Sequence, residues 1–398
     1  MKTMQWKKWL LRWGVPAVLT ALLVLFTIWI NRVDKVELIS RSGQTFEKGV
    51  VTKILENNIQ EDGTRVGEQR VVVRMTTGVR KGQELETTSS AGYLFGAACE
   101  EGMHVIVMQS VAGDSTITSI YAQDRELAIY VFGGAYLLAL VLIGGKKGVK
   151  GALGLAFTFL AFICIDLPLA YRGYSPFLVA IALCAVTTLV TMYLIGGPTK
   201  KTLCATIGTT AGVILAGVTA RLFGAAAGLS GWNVSNIESL LDLWYTCDIQ
   251  VGELLFSGLL ISSLGAVMDV AMSISSAMDE VVYQNPGITG KELFGAGLRI
   301  GRDMMGTDSN TLILAFVGGS MSSLLLNYAY DLPYQQVINS NNIGIAIMQG
   351  VGGSFGVVLC VPITVLLASL LLRRKQPACI EKQGDAKNAM RTENPISF

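Results

Sequence analysis

Apolar positions along the chain gather into long runs at 127–144, 151–169, 175–196, 202–228, 250–275, 309–330 and 343–372, and a further run opens the sequence in MKTMQWKKWLLRWGVPAVLTALLVLFTIWI. A bilayer core of about 30 Å needs roughly twenty such residues per crossing helix, so the pattern predicts about eight transmembrane helices. The opening run has a basic head and no small-residue cleavage site before Asn31 and Arg32, which reads as an uncleaved signal anchor over residues 1–31. From 32 to 124 the chain turns polar. Short β-type stretches at 46–55, 70–75, 84–88, 104–108 and 115–121 are divided by the turn signals EDG, VRKG and AGD. They predict a small closed or nearly closed barrel, OB-like in type.

Basic residues orient this pattern. Lys146, Lys147 and Lys150, then Lys200 and Lys201, then Lys291, Arg299 and Arg302, and finally Arg373, Arg374 and Lys375 fall in alternate loops. The loops between them hold Arg172, Asp242, Asp248 and Asp331. Short cytoplasmic loops concentrate Lys and Arg, so both termini are predicted in the cytoplasm and the 32–124 domain outside. The expected fold is an all-α polytopic membrane bundle with an extracytoplasmic OB-like barrel between helices 1 and 2. A seven-helix domain then covers 125–373, and 374–398 forms a polar tail of disordered composition.

Two loops carry helical spacing of their own. In SGWNVSNIESLLDLWYT, Ile237, Leu240, Leu241 and Trp244 predict an interfacial helix with Ser235 as N-cap. In NPGITGKELFGAGLRIGRDMMGTDSN, Leu293, Phe294, Leu298 and Met304 oppose Lys291, Arg299 and Arg302. This predicts an amphipathic cytoplasmic helix near 289–304, started by Thr289 or by the Pro286–Gly287 turn. Asp166, Pro168 and Pro176 are expected to interrupt the span at 151–169.

Composition supports the membrane assignment: 51% of the 398 residues are hydrophobic, 15% are charged and the mean hydropathy is +0.50. The formal net charge is +2. The seven cysteines form no CxxC pair and His104 is the sole histidine, which argues against a zinc site, a haem site or a disulfide framework. No cofactor or metal is expected, and Cys99 and Cys247 read as small apolar fillers. The 32–124 domain lacks a basic stripe interleaved with aromatics, so nucleic acid is not an expected partner.

Within the apolar runs, Gly258, Ser262, Gly265, Asp269, Ser273, Ser276 and Glu280 succeed one another at spacings of 4, 3, 4, 4, 3 and 4. They share one small or polar helix face, opposite Leu259, Leu260, Leu264, Val267 and Val270. An ionised aspartate facing lipid is costly, so Asp269 is expected to look into the bundle. It reads either as a protonatable relay or ion ligand, or as a neutral hydrogen-bonded member of a packing stripe. Asp279 and Glu280 mark the exit into cytoplasmic water. Arg302, Asp303, Asp308, Asn310 and Thr311 form a second polar cluster at the cytoplasmic edge. The expected substrate or ion path is Asp269, Ser262, Ser273, Ser276, Arg302, Asp303, Asn310 and Thr311.

Small residues recur at every fourth position in Gly208, Gly212, Ala216, Ala220, Gly224 and Gly228, and Gly352 with Gly356 forms a GxxxG pair. These are expected helix-packing faces. Arg221, beside the first, is either a counter-ion for Asp269 or Asp166 or a residue snorkelling to the interface. GLSG at 228–231 resembles a short serine-protease motif, but the one histidine lies in the β domain and no other base is at hand. HExxH, a Walker A loop and a strand-borne GxGxxG are absent from the sequence. The sequence leans away from an enzyme without deciding the matter: an intramembrane enzyme acting on lipid-linked substrates would need a catalytic pair, and Asp269 with Asp303 or Asp308 is the carboxylate set on offer.

GAVMDVAMSISSAMDE, NPGITGKELFGAGLRIGRDMMGTDSNTLILAFVGGS and the earlier FEKGVVTKILE resemble the YibE/F family of bacterial membrane proteins. The resemblance runs through nearly the whole chain and implies a multi-pass protein of the bacterial cytoplasmic membrane, without an assigned activity. Asp308, beside Thr307, departs from the pattern. A weaker similarity joins the chain to one half of an RND-type permease, through Gly265, Asp269, Ala271 and Glu280 followed by an amphipathic helix and two closing spans. That resemblance implies that Asp269 carries protons; two additional spans and the small β domain depart from it. The expected function is secondary transport of an unidentified small or amphiphilic solute, proton- or cation-coupled through Asp269. The alternative is a non-transporting scaffold or envelope accessory factor that binds a partner through the β domain. Expected partners are the bilayer, the solute, and a second copy or a paralogue.

Overall fold

The computed structural model describes residues 26–32, 43–61, 63–90, 96–112, 115–234 and 237–372. Most of the expected anchor at 1–31, all of the 374–398 tail and the expected N-cap Ser235 lie outside the described residues. The chain divides into two compact units, one of Lys35–Ile143 and one of Met1–Asp34 with Gly144–Phe398.

In the first unit, β1 (Gln44–Glu56), β2 (Gln69–Met75), β3 (Glu84–Ser89), β4 (His104–Ala112) and β5 (Ser115–Gln123) close into a barrel. The order around it is β1-β2-β3-β5-β4, with a parallel pairing between β3 and β5 and antiparallel pairings elsewhere. The long β1 serves two neighbours: its first half pairs with β4 and its second half, after Gly49, with β2 through two register shifts. Shifts of this kind bend a strand and allow a short sheet to close. Alternate side chains fill the interior, with Val51, Val71, Val73, Val105 and Val107 fully buried. Two reciprocal clamps fix the segment before β4. Gln69 donates to the Cys99 carbonyl at 3.0 Å and accepts from the Cys99 N–H at 2.9 Å. Ser89 does the same for Ala97, at 2.7 and 2.9 Å. Burial pushes the Cys99 thiol up.

The helical unit begins with α1, described over 26–30, and continues from α2 (Glu126–Ala161), whose first part lies in the barrel unit. The helices that follow are α3 (Leu167–Tyr171), α4 (Pro176–Gly196), α5 (Lys200–Ala227), α6 (Ile237–Cys247), α7 (Val251–Gln284), α8 (Gly290–Gly319), α9 (Met321–Ala329), α10 (Tyr334–Ile338) and α11 (Asn341–Leu371). Among the described residues five helical stretches are long and apolar enough to cross a membrane, or six if the bent pair α8 and α9 is one span. The expected spans 127–144 and 151–169 fall in one stretch, Glu126–Tyr171, where Gly145 takes the non-helical φ 54, ψ −133.

Asp166 and Pro168 do not end that stretch. A π turn at Phe162–Asp166 carries the helix into α3. Pro168 has no N–H for the Cys164 carbonyl four residues back, and Asn31 Nδ2 supplies the missing donor at 2.7 Å. Arg172 then donates to the carbonyls of Trp29 and Arg32 at 3.2 and 3.1 Å, so α1 is tied to the end of α3.

The amphipathic helix expected at 289–304 is corrected: it is the first part of α8, which runs unbroken from its N-cap to Gly319. Thr289 caps it, with Glu292 reaching back in a capping box. Nothing in RDMMGTDSN stops a helix, whereas the paired Gly318 and Gly319 precede a 60° bend into α9.

Close helix contact rests on glycine. A Cβ at Gly212 would meet Cys360 Cβ at 2.8 Å and the Gly356 carbonyl at 3.0 Å; one at Gly356 would meet Ala216 Cβ at 2.7 Å and one at Gly352 Ala220 Cβ at 3.4 Å. Gly208 lies against Thr364, and Gly224 against Phe256 and the Leu229 carbonyl. Thus α5 and α11 cross with their backbones nearly touching. Gly228 is a correction: it is the left-handed C-cap of α5, φ 66, with open space where a Cβ would be. Gly297 and Gly301 of α8, not expected to pack, lie against Met278 and Val365 and against Ile274 and Val361.

Candidate functional site

Central to the helical unit is α7, and its two edges differ in kind. Leu259, Leu260, Val267, Val270 and Ile274 are fully buried in the core. Gly258, Ser262, Gly265, Asp269, Ser273 and Glu280 are exposed, and Ser276 is half-buried. The expectation that Asp269 looks into the bundle is therefore overturned: the polar stripe lies on the outer surface of the single chain. Val267 decides this, because it fills the space left by Gly212 and Gly356 at the α5–α11 crossing. Residues two apart on a helix point roughly 200° apart, so turning Val267 inward turns Asp269 outward.

The acids of α7 separate Asp269 from its neighbours. Glu253, near the start of the helix, binds the Arg221 guanidinium and accepts from Ser175 Oγ. Asp279, near the other end, pairs with Lys201 at 3.7 Å, and Glu280 accepts from Gln284 at 2.7 Å. Asp269 has neither a hydrogen bond nor a cation among the described residues. Asp308 of α8 is close enough for its charge to act on Asp269. Arg221 is consequently the counter-ion of Glu253, with its guanidinium 4.3 Å from the centre of the Phe177 ring, and not of Asp269 or Asp166. Glu253 was legible only as an acid in a first helical turn.

The remaining expected path residues are dispersed. Ser262 donates to the Leu259 carbonyl at 3.0 Å and shares the face of Asp269 with Ser273 and Ser276. Thr311 donates to the Thr307 carbonyl at 3.0 Å, on the same side of α8 as Asp308. Arg302, Asp303 and Asn310 are exposed and project from other sides of α8. The structure thus gathers Ser262, Asp269, Ser273, Ser276 and Asp308 and leaves Arg302, Asp303 and Asn310 apart. Cys99 and Cys247 are both free thiols.

Such a surface can exchange a proton or hold a cation, and on a helix long and apolar enough to cross a membrane it would be costly to set against lipid. Compared with known families, residues 132–374 match the YibE/F-like protein family. Searches of the curated proteins and of the solved structures found no match.

Proposed function

The chain belongs to the YibE/F-like protein family, and from that premise we propose that it is a secondary transporter of the bacterial cytoplasmic membrane, moving a small or amphiphilic solute with proton or cation coupling through Asp269. The observation that carries this reading is the lone uncompensated acid of α7, set in a polar stripe between Glu253 and Asp279, which both have cations. A carboxylate at that depth is costly to maintain unless it works. The likeness of Gly265, Asp269, Ala271 and Glu280 to one half of an RND-type permease supports the same role.

The protein spans the membrane eight times in this reading, with both termini cytoplasmic and the barrel outside. The alternation of basic loops supports that orientation, and the strand order, with β3 parallel to β5, supports an OB-like barrel. A second copy or a paralogue covers the α7 stripe, so that the path runs between two chains. The described end of α1, residues 26–32, is tied by Asn31 and Arg172 to the π turn and the end of α3.

The rival, a scaffold that recruits an envelope partner, draws on the barrel being a compact unit. Deleting the barrel and substituting Asp269→Asn separates the two. Transport requires that Asp269→Asn, inserted at the normal level, loses the cellular phenotype. A normal Asp269→Asn strain beside a defective barrel deletion supports the scaffold instead.

A further inference from the structure

A second acid lies inside the helical unit, and its surroundings are the reverse of those of Asp269. Asp166 closes the π turn and is only 6% exposed, and its Oδ1 has no hydrogen-bond partner. The π turn is what aims it. In an unbroken α-helix a residue five positions past the buried Ala161 would point about 140° away from it. The wider turn absorbs about one residue and returns Asp166 to the buried side, where Ala161, Ile165 and Leu183 form an apolar cluster. Across from it on α4, Cys184 lies within reach of its charge. Thr188, one turn along the same face, is fully buried and its Oγ1 is also unpartnered. Thr187 spends its hydroxyl on the carbonyls of Leu183 and Cys184, at 2.8 and 3.2 Å.

The ligand chemistry follows from what is left over. Charged and titratable groups on the packed elements, among the described residues, are Cys184 and, about two and a half turns further on, Tyr193 of α4, Cys164 of the π turn, Tyr171 and Arg172 at the end of α3, and Arg32 after α1. Arg172 is turned to the carbonyls of Trp29 and Arg32 and stacks 5.0 Å from the Trp29 ring centre. Asn31 takes the Cys164 carbonyl that Pro168 frees. A hard metal cation wants about six oxygens, whereas the unpartnered oxygens on these two elements are those of Asp166 and, one turn beyond Cys184 on α4, Thr188. A proton needs one. We propose that Asp166 and the Cys184–Thr188 face of α4 form a second proton-binding site, separate from Asp269.

The test treats the full-length protein in proteoliposomes with dicyclohexylcarbodiimide, across whose C=N bond the O–H of a protonated carboxyl adds in an apolar setting, the acyl group then moving to nitrogen as a stable N-acylurea, and locates the adduct by peptide mass spectrometry. The site predicts an adduct on Asp166 whose rate falls about tenfold for each pH unit above its midpoint, with the midpoint displaced in Thr188→Val. It also predicts the same Asp166 labelling in Asp269→Asn, so that failure of the Asp269 assignment leaves this result standing. No adduct on Asp166 at any pH, or one formed at the same rate at every pH, overturns the proposal. An unmoved midpoint in Thr188→Val overturns the assignment of the α4 face. Labelling the unsubstituted chain keeps the test valid if Asp166→Asn fails to fold.

Discussion

Barrel and helical unit treat their interior polar groups differently. In the barrel, Gln69 and Ser89 are buried at 1% and 0% exposure and both are satisfied by reciprocal bonds to backbone; among the described residues Thr87 Oγ1 is the buried side-chain atom there without a partner. In the helical unit Asp166, Thr188, Thr209, Ser275 and Ser309 all keep a buried oxygen unpartnered, and Asp269 stands open without a cation. Unpartnered buried groups lower stability, by about 1–3 kcal/mol each. Other buried hydroxyls of the helical unit, those of Thr187, Thr206 and Ser263, donate to backbone carbonyls, so the open groups there are particular positions and not the rule.

The largest expected effect comes from the helix crossing. Gly356→Leu drives a side chain into Ala216 and the Gly212 backbone, and destabilisation of 3 kcal/mol or more, on the order of the upper range for overpacking, should remove the folded protein from detergent extracts. By contrast Gly265 has open space around its Cβ position. Gly265→Leu should leave the monomer's melting temperature unchanged while shifting the protein from paired to single copies in chemical cross-linking; retention of the pair would show that the α7 stripe is not the covered face.

Gln69→Leu is next in size. It leaves both the Cys99 N–H and carbonyl without partners, and a loss of about 2–4 kcal/mol is expected, read as a lower unfolding midpoint in denaturant. Asp269→Asn should change that midpoint by less than about 0.5 kcal/mol, because no bond is lost. If the two substitutions destabilise equally, the contrast between the units fails.

The smallest effect is on the barrel's acid limit. The Asp124 carboxyl is held below the usual range by the Glu126 backbone N–H, at 3.0 Å, and by Lys48, at 3.2 Å. A depressed folded value adds stability above the unfolded pKa of about 3.9, and that stability is lost as pH falls through the folded value. Asp124→Asn should therefore flatten the decline in melting temperature below about pH 4, and an unchanged slope would remove Asp124 from the account.

Local pattern made much of this fold legible. The barrel strands appear where alternation and the EDG, VRKG and AGD turns put them, because turn chemistry acts within a few residues. Closure through parallel β3 and β5 pairs residues as distant as Thr88 and Ser119, which no local signal specifies. Likewise the α7 stripe was readable as a face, yet its direction was not. Periodicity relates side chains on one helix to each other, whereas Val267 against Gly212 and Gly356 is a contact among three helices. The pairing of Arg221 with Glu253 escaped for the same reason, and the π turn because its residues, FICID, carry no distinguishing composition.

The most direct test of the central claim is the initial proton flux into proteoliposomes under an imposed pH gradient, compared between the unsubstituted chain and Asp269→Asn at equal amounts of inserted, folded protein. Coupling through Asp269 predicts a flux at least tenfold lower in Asp269→Asn, a loss of about 1.4 kcal/mol or more in the rate-limiting step. Equal fluxes would contradict it.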